Sequence, residues 1–197
     1  MPGARRICVY CSSSSAVDAV HTDAARELGT AMGERGDTLV WGGATVGCMG
    51  VLAQAVRDAG GRTEGVIPES LVAREIADTG ADELVITADM GARKAEMALR
   101  AEAFIALPGG FGTLEELLEQ LTLRLLGIHH KPVVIIDIEG FWQPLLTLFD
   151  HITEERFARP ESRDSYLVVP TVADAVAALD NAFDLMPGAV SLPSKWL

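Results

Sequence analysis

Residues Ala103–Leu126 read AFIALPGGFGTLEELLEQLTLRLL. Ala103 to Leu107 is an unbroken apolar run of strand length. Pro108-Gly109-Gly110-Phe111-Gly112 halts it, and Thr113 to Leu126 then carries leucines at helical spacing. A buried strand, a glycine corner and a helix, in that order, form the repeating unit of a parallel α/β sheet. A parallel neighbour needs a crossover connection, and the helix supplies it.

The unit recurs in both directions. Upstream, Arg6–Tyr10 reads as a strand, Cys11–Ser15 as a polar turn and Val17–Arg35 as a helix closed by Gly36. Thr38–Trp41 is a strand ending in Gly42-Gly43, followed by a helix from Met49 to Ala59. Thr63–Ile67 and Glu83–Thr87 are further strands, and Asp89 is the expected N-cap of a helix through Glu102. Downstream, Pro132–Ile136 is a continuously apolar strand, Phe141–Glu155 a helix, Tyr166–Val169 a short strand and Val172–Leu185 a last helix. The fold class is therefore α/β, a doubly wound parallel sheet in a single domain over 1–186. Residues 187–197 hold two prolines and no periodicity, and read as an extended C-terminal tail. Strand order is not legible.

Composition narrows the function classes. The net charge of −12 argues against a nucleic-acid partner, which needs a basic face. It leaves room for a phosphate ligand, since one loop and two cations suffice locally. No apolar run approaches the roughly 20 residues of a membrane span. Met1-Pro2-Gly3-Ala4-Arg5-Arg6 lacks the features of a signal peptide, so a cytoplasmic protein without a membrane partner is expected. Cys8 and Cys11 spell C-x-x-C, but Cys8 falls inside an apolar strand, whereas a redox pair opens a helix. With Cys48 the count is odd, so no disulfide framework is implied.

Two glycine corners sit at strand-to-helix junctions. The first runs from Gly42 and Gly43 through Ala44, Thr45, Val46 and Gly47 to Gly50, and fits neither the dinucleotide fingerprint nor a P-loop. It reads either as a tight turn or as a ligand loop in which Gly43 approaches substrate. The second, Gly109, Gly110, Phe111, Gly112 and Thr113, combines flexible backbone, a hydroxyl and a helix N-terminus, a good phosphate cradle. Thr113-Leu114-Glu115-Glu116 also has the form of a capping box, in which Glu116 only caps its helix. Arg93 and Lys94 are adjacent on a helix and point about 100° apart, so they bracket a site or form a solvated basic pair. Glu115 and Glu116 would repel a phosphate on the same helix start unless Arg93 and Lys94 fold toward it. The leucines of the Thr113–Leu126 helix, Leu114, Leu117, Leu118, Leu121, Leu123, Leu125 and Leu126, cover more than one face. Deep burial within the chain and a homodimer explain that equally well.

Together these residues resemble the LONELY GUY (LOG) family, whose members also carry a lysine-decarboxylase-like label. The resemblance rests on Arg93-Lys94, Pro108 to Glu116, Leu117-Leu118-Glu119, Gly127 to Pro132, Arg74-Glu75-Ile76 and the first glycine corner. It spans most of Arg6 to Glu155. It implies a Rossmann-like fold, a homodimer and hydrolysis of the N-glycosidic bond of adenosine 5′-monophosphates, N6-modified or plain. The products would be free base (cytokinin or adenine) and ribose 5-phosphate. By family role Glu116 and Arg93 are catalytic, and Glu75, Lys94, Gly110, Phe111, Gly112, Thr113, Leu114, Glu115 and Thr122 line the nucleotide site. The phosphate would rest on Gly109 to Thr113. Two departures bear on substrate preference: Ala44-Thr45 where the family's first corner has Gly-Ser, and Leu123 where a tryptophan is common.

Cleavage of such a bond builds positive charge on the ribose. Glu116 would stabilise it and activate water. Arg93, too basic to act as a free proton donor, would stabilise the leaving base or position the nucleotide. No metal or organic cofactor is required. His129 and His130 read as a turn rather than metal ligands. A pyridoxal-phosphate decarboxylase would need a Schiff-base lysine, and lysine occurs only at Lys94, Lys131 and Lys195. A non-catalytic nucleotide or phospho-cofactor carrier is the alternative, and it would need the glycine loop but not Glu116.

Overall fold

Alternation along the first strand sets the architecture. In β1 (Arg6–Tyr10), Ile7 and Val9 point into one hydrophobic layer and Cys8 and Tyr10 into another, all of them buried. A strand buried on both faces requires helices on both faces. The computed structural model, which describes residues 4–72 and 76–185, provides them.

The remaining strands are β2 (Thr38–Trp41), β3 (Arg62–Pro68), β4 (Glu83–Thr87), β5 (Ala103–Ala106), β6 (Val133–Ile136) and β7 (Leu167–Val169). All pair in parallel in the order β4-β3-β2-β1-β5-β6-β7. The helices are α1 (Ala19–Glu34), α2 (Gly47–Asp58), the short α3 (Glu69–Val72), α4 (Met90–Arg100), α5 (Phe111–Leu125), α6 (Gln143–Glu154) and α7 (Val172–Asp184). Leu28 and Met32 of α1, Leu52 and Val56 of α2 and Leu179 of α7 fill one layer. Met97 of α4, Leu117 and Leu121 of α5 and Trp142, just before α6, fill the other. Each large apolar side chain so buried contributes about 1.5–3 kcal/mol. Every strand and long helix read from the sequence is present, with ends shifted by a few residues, whereas α3 was not expected.

The chain leaves β1 toward β2 on one side and enters β5 on the other, with Tyr10 opposite Ala106. The connections after β1 and β5 therefore diverge onto opposite faces. A crevice opens between them at the carboxyl ends, the usual ligand position in an open parallel sheet.

Two expectations about α5 need correction. The helix begins at Phe111 with Gly110 as N-cap, so Thr113 lies in its first turn and is not the cap. The capping-box reading of Glu116 fails with it. Deep burial of α5 within the chain also fails: Leu117 and Leu121 face the core, but Leu118, Leu125 and Leu126 are 38%, 52% and 69% exposed. Asp89 caps α4 as expected, its carboxylate accepting from the Ala92 N–H at 2.8 Å. Residues 187–197, read as the tail, lie outside the described residues. Among the described residues no helix is long and apolar enough to cross a membrane.

Candidate active site

The two glycine corners meet at the crevice. After β5, Pro108 and Gly109 lead into α5, whose first-turn N–H groups have no partner within the helix. Gly110 has no side chain to cap them, so an anion is the natural complement. A Cβ on Gly109 would lie 2.1 Å from Thr113 Oγ1, so the buried Thr113 demands glycine there and locks the loop against its helix. Gly110, Phe111 and Gly112 are open to solvent, Phe111 at 93%.

Across the crevice, Cys11–Ser15 follows β1. The Ser12 carbonyl accepts from the Cys48 N–H at 3.0 Å. Gly47 has φ +57°, and any Cβ there would strike the Ser13 carbonyl carbon at 2.5 Å. Glycine at 47 thus lets the serine loop close onto the first corner. Gly43 is buried, with φ +69°, packs on β3 and accepts from the Asp78 N–H at 2.8 Å. Its missing side chain lets this corner pack onto β3.

Arg93 and Lys94 diverge as helix geometry requires, and both turn toward α5. Arg93 Nη1 donates to Glu116 Oε1 at 2.9 Å, and Arg93 Nε donates to the Val66 carbonyl of β3 at 3.1 Å. Both partners are buried, Arg93 to 7% and Glu116 to 8% exposure. Burial pushes the Glu116 carboxyl above the ordinary glutamate range, and the Arg93 charge and hydrogen bond oppose that rise. Lys94 Nζ donates to Glu115 and, at 3.2 Å, to Glu119. The Glu115 hydrogen bond leads in holding the Lys94 ammonium above its usual range, with Glu119 adding to it. Each carboxylate beside the phosphate cradle thus has its own cation, which answers the repulsion expected from the sequence.

Of the residues singled out from the sequence, the fold brings Arg93, Lys94, Gly109, Gly110, Phe111, Gly112, Thr113, Leu114, Glu115 and Glu116 to one end of the sheet. Thr122 is nine residues beyond Thr113, about 13 Å along α5. It is exposed and donates to the Leu118 carbonyl at 2.7 Å. Glu75 lies outside the described residues. Sequence reasoning missed the Val66 carbonyl, the serine loop and Glu119. Glu119 was within reach, since Glu115 and Glu119 share a helix face at i,i+4. The serine loop required the strand order.

Other candidates take ordinary structural roles. His129 is buried, its Nδ1 accepts from the Lys131 N–H at 3.2 Å, and burial pulls its pKa down to about 4. Among the described residues no group of three or more His, Cys, Asp or Glu side chains is placed to hold a metal ion. Burial pushes the Cys8 and Cys11 thiols up, away from the thiolate form that redox work needs. A Schiff-base lysine must be available as a neutral amine. Lys94, salt-bridged to two carboxylates, is held charged.

Residues 49–179 match the family described as "Possible lysine decarboxylase". The chain is 47% identical over 176 residues to the cytokinin riboside 5′-monophosphate phosphoribohydrolase LOG of Oryza sativa subsp. japonica, covering 89% of this chain and 73% of that one. It is 44% identical over 191 residues to a cytokinin riboside 5′-monophosphate phosphoribohydrolase of Arabidopsis thaliana, covering 97% and 88%. Among solved structures it resembles the molybdenum cofactor carrier protein of Chlamydomonas reinhardtii, with a TM-score of 0.72, 25% identity and coverage of 92% and 99%. The molybdenum cofactor binding protein of Rippkaea orientalis gives a TM-score of 0.71 at 21% identity, covering 92% and 98%.

Proposed function

The chain belongs to the LOG family of cytokinin riboside 5′-monophosphate phosphoribohydrolases, and from that premise we infer that it hydrolyses the N-glycosidic bond of N6-modified or plain adenosine 5′-monophosphates. The products are the free base and ribose 5-phosphate. The observation that carries the reading is the buried Arg93–Glu116 pair beside an uncapped helix N-terminus.

The substrate phosphate binds the N–H groups at the start of α5, over Gly109 to Thr113. The ribose then lies near Glu116, one turn further into the helix. As the C1′–N9 bond breaks, its electron pair leaves on the base and positive charge builds on the sugar. The Glu116 carboxylate stabilises that charge. It also takes a proton from the water that adds to C1′, and the departing base gains a proton in the overall balance. A carboxylate of raised pKa is a better base for this than a solvated one. Arg93 keeps Glu116 ionised while buried, and orients it through its second bond, to Val66. Lys94 offsets Glu115 and Glu119, so that the phosphate meets less negative charge.

A homodimer completes this reading. Leu118, Leu125 and Leu126 of α5, with Ile128 beyond it and Leu99 of the adjacent α4, are exposed and apolar. Such a surface favours a second copy. Thr122 and Phe111 on the same helix would then contribute to the nucleotide site from the dimer face.

The carrier alternative is less well supported. Similarity to carriers stops at 21–25% identity, against 44–47% to the phosphoribohydrolases. The test is product identity. Incubation with isopentenyladenosine 5′-monophosphate, and separately with AMP, is expected to give base and ribose 5-phosphate in equal amounts. Binding without turnover of either nucleotide would favour the carrier, and release of nucleoside plus inorganic phosphate would contradict the bond assignment.

A further inference from the structure

We propose that Gly42 is a positioning residue whose missing side chain seats the Arg93 guanidinium against Glu116. The inference rests on the catalytic reading of Arg93 and Glu116 given above. Gly42 directly follows β2 and is buried beneath Arg93. A Cβ built on Gly42 would lie 2.1 Å from Arg93 Nη2 and 3.3 Å from Arg93 Cζ. Nothing else approaches so closely, the next atom being Met49 Sδ at 3.1 Å.

Backbone conformation does not explain glycine at this position. Gly42 is absent from the positive-φ glycines, whereas its neighbour Gly43 stands at φ +69°. Alanine is therefore not excluded at 42 by a left-handed backbone, and is resisted chiefly by the guanidinium and, more weakly, by Met49 Sδ. The guanidinium is the far end of a flexible side chain, so it moves and the fold survives. It has little room to move without loss. Nε is tied to the Val66 carbonyl at 3.1 Å and Nη1 to Glu116 at 2.9 Å, so a shift of about 1 Å breaks one bond or both. The first glycine corner thereby acts on the chemistry through the arginine of α4, rather than by touching the nucleotide at this residue.

The test compares wild type, Gly42→Ala, Arg93→Ala and the double variant by steady-state kinetics on AMP or isopentenyladenosine 5′-monophosphate. Titration of the Glu116 carboxyl by carbon-13 NMR accompanies it. Gly42→Ala is expected to lower kcat roughly 10- to 100-fold, as misplacement of a positioned group does. KM should stay within about twofold, because the phosphate loop is untouched. The Glu116 pKa should rise as its cation withdraws. In the Arg93→Ala background the same substitution should change kcat by less than about twofold, since the clash has gone. Wild-type kcat and an unmoved Glu116 titration in Gly42→Ala would overturn the proposal, as would losses that multiply in the double variant. If Arg93→Ala proves fully active, the catalytic reading of Arg93 fails. The titration then still decides the seat, which stands if Glu116 moves in Gly42→Ala and falls if it does not.

Discussion

Arg93 Nη1 lies 2.9 Å from Glu116 Oε1, and the two side chains, 23 residues apart in sequence, are buried together at the carboxyl end of the sheet. Removing one member of such a pair leaves an uncompensated buried charge, at a cost of about 3–5 kcal/mol.

That dependence governs the response to pH. Hydrolysis needs Glu116 ionised, and burial places its pKa above the ordinary glutamate range. The acid limb of the kcat profile should therefore lie above that range, with activity rising as pH rises through it. Arg93→Ala removes the favourable charge and should move the limb to still higher pH. Profiles at saturating nucleotide check this, and an unmoved limb in the variant would contradict it.

Lys94 should behave differently, because it neutralises Glu115 and Glu119 and does not touch Glu116. Lys94→Gln leaves two carboxylates beside the phosphate. An ion pair this exposed is worth about 1 kcal/mol or less, so KM should rise by about two- to fivefold with kcat nearly unchanged. High salt should narrow the gap from wild type, since the exposed carboxylates are screened. A fall in kcat at constant KM would assign Lys94 to the chemistry instead.

The sheet was legible in the sequence because most strands have a short apolar core, several of them halted by glycine or proline. Ala103–Leu107 and Pro132–Ile136 admit no amphipathic reading. The site was legible only in part. Arg93, Lys94 and Glu116 stand out as a motif, but their pairing depends on α4 packing beside α5, a tertiary fact. Thr113-x-x-Glu116 has the form of a capping box, and the reading failed because the helix starts two residues earlier, at Phe111. The role of Gly42 was hidden for a similar reason. A glycine excluded by a guanidinium from a distant helix looks, in sequence, like any other turn glycine.

The outer face of α5 gives a prediction about assembly. Leu126 is 69% exposed, beside Leu125 at 52%. Wild type should sediment as a dimer, and Leu126→Glu combined with Leu118→Glu should sediment as a monomer with an unchanged circular dichroism spectrum. A monomeric wild type would remove the dimer from the account and leave the chemistry of Arg93 and Glu116 standing.

His129 links stability to pH. Its pKa falls from 6.5 to about 4, chiefly through burial, so the folded state favours the neutral ring. The stability it contributes is present above the unfolded value and is lost as pH falls through about 4. That loss amounts to about 1–3 kcal/mol between those limits. Urea midpoints measured across the window should fall with pH in wild type. The slope should be shallower in His129→Leu, and equal slopes would refute the assignment.

The most direct test of the central claim is chromatographic measurement of base released from isopentenyladenosine 5′-monophosphate by wild type and by Glu116→Gln. The amide keeps the shape of the carboxylate and an acceptor for Arg93, so the variant should lose less stability than one that removes the hydrogen bond as well, and circular dichroism checks that it is folded. Wild type should release base, and the variant should lose about 10²–10⁴-fold in kcat at similar KM. A folded Glu116→Gln protein that releases base at the wild-type rate would contradict the account.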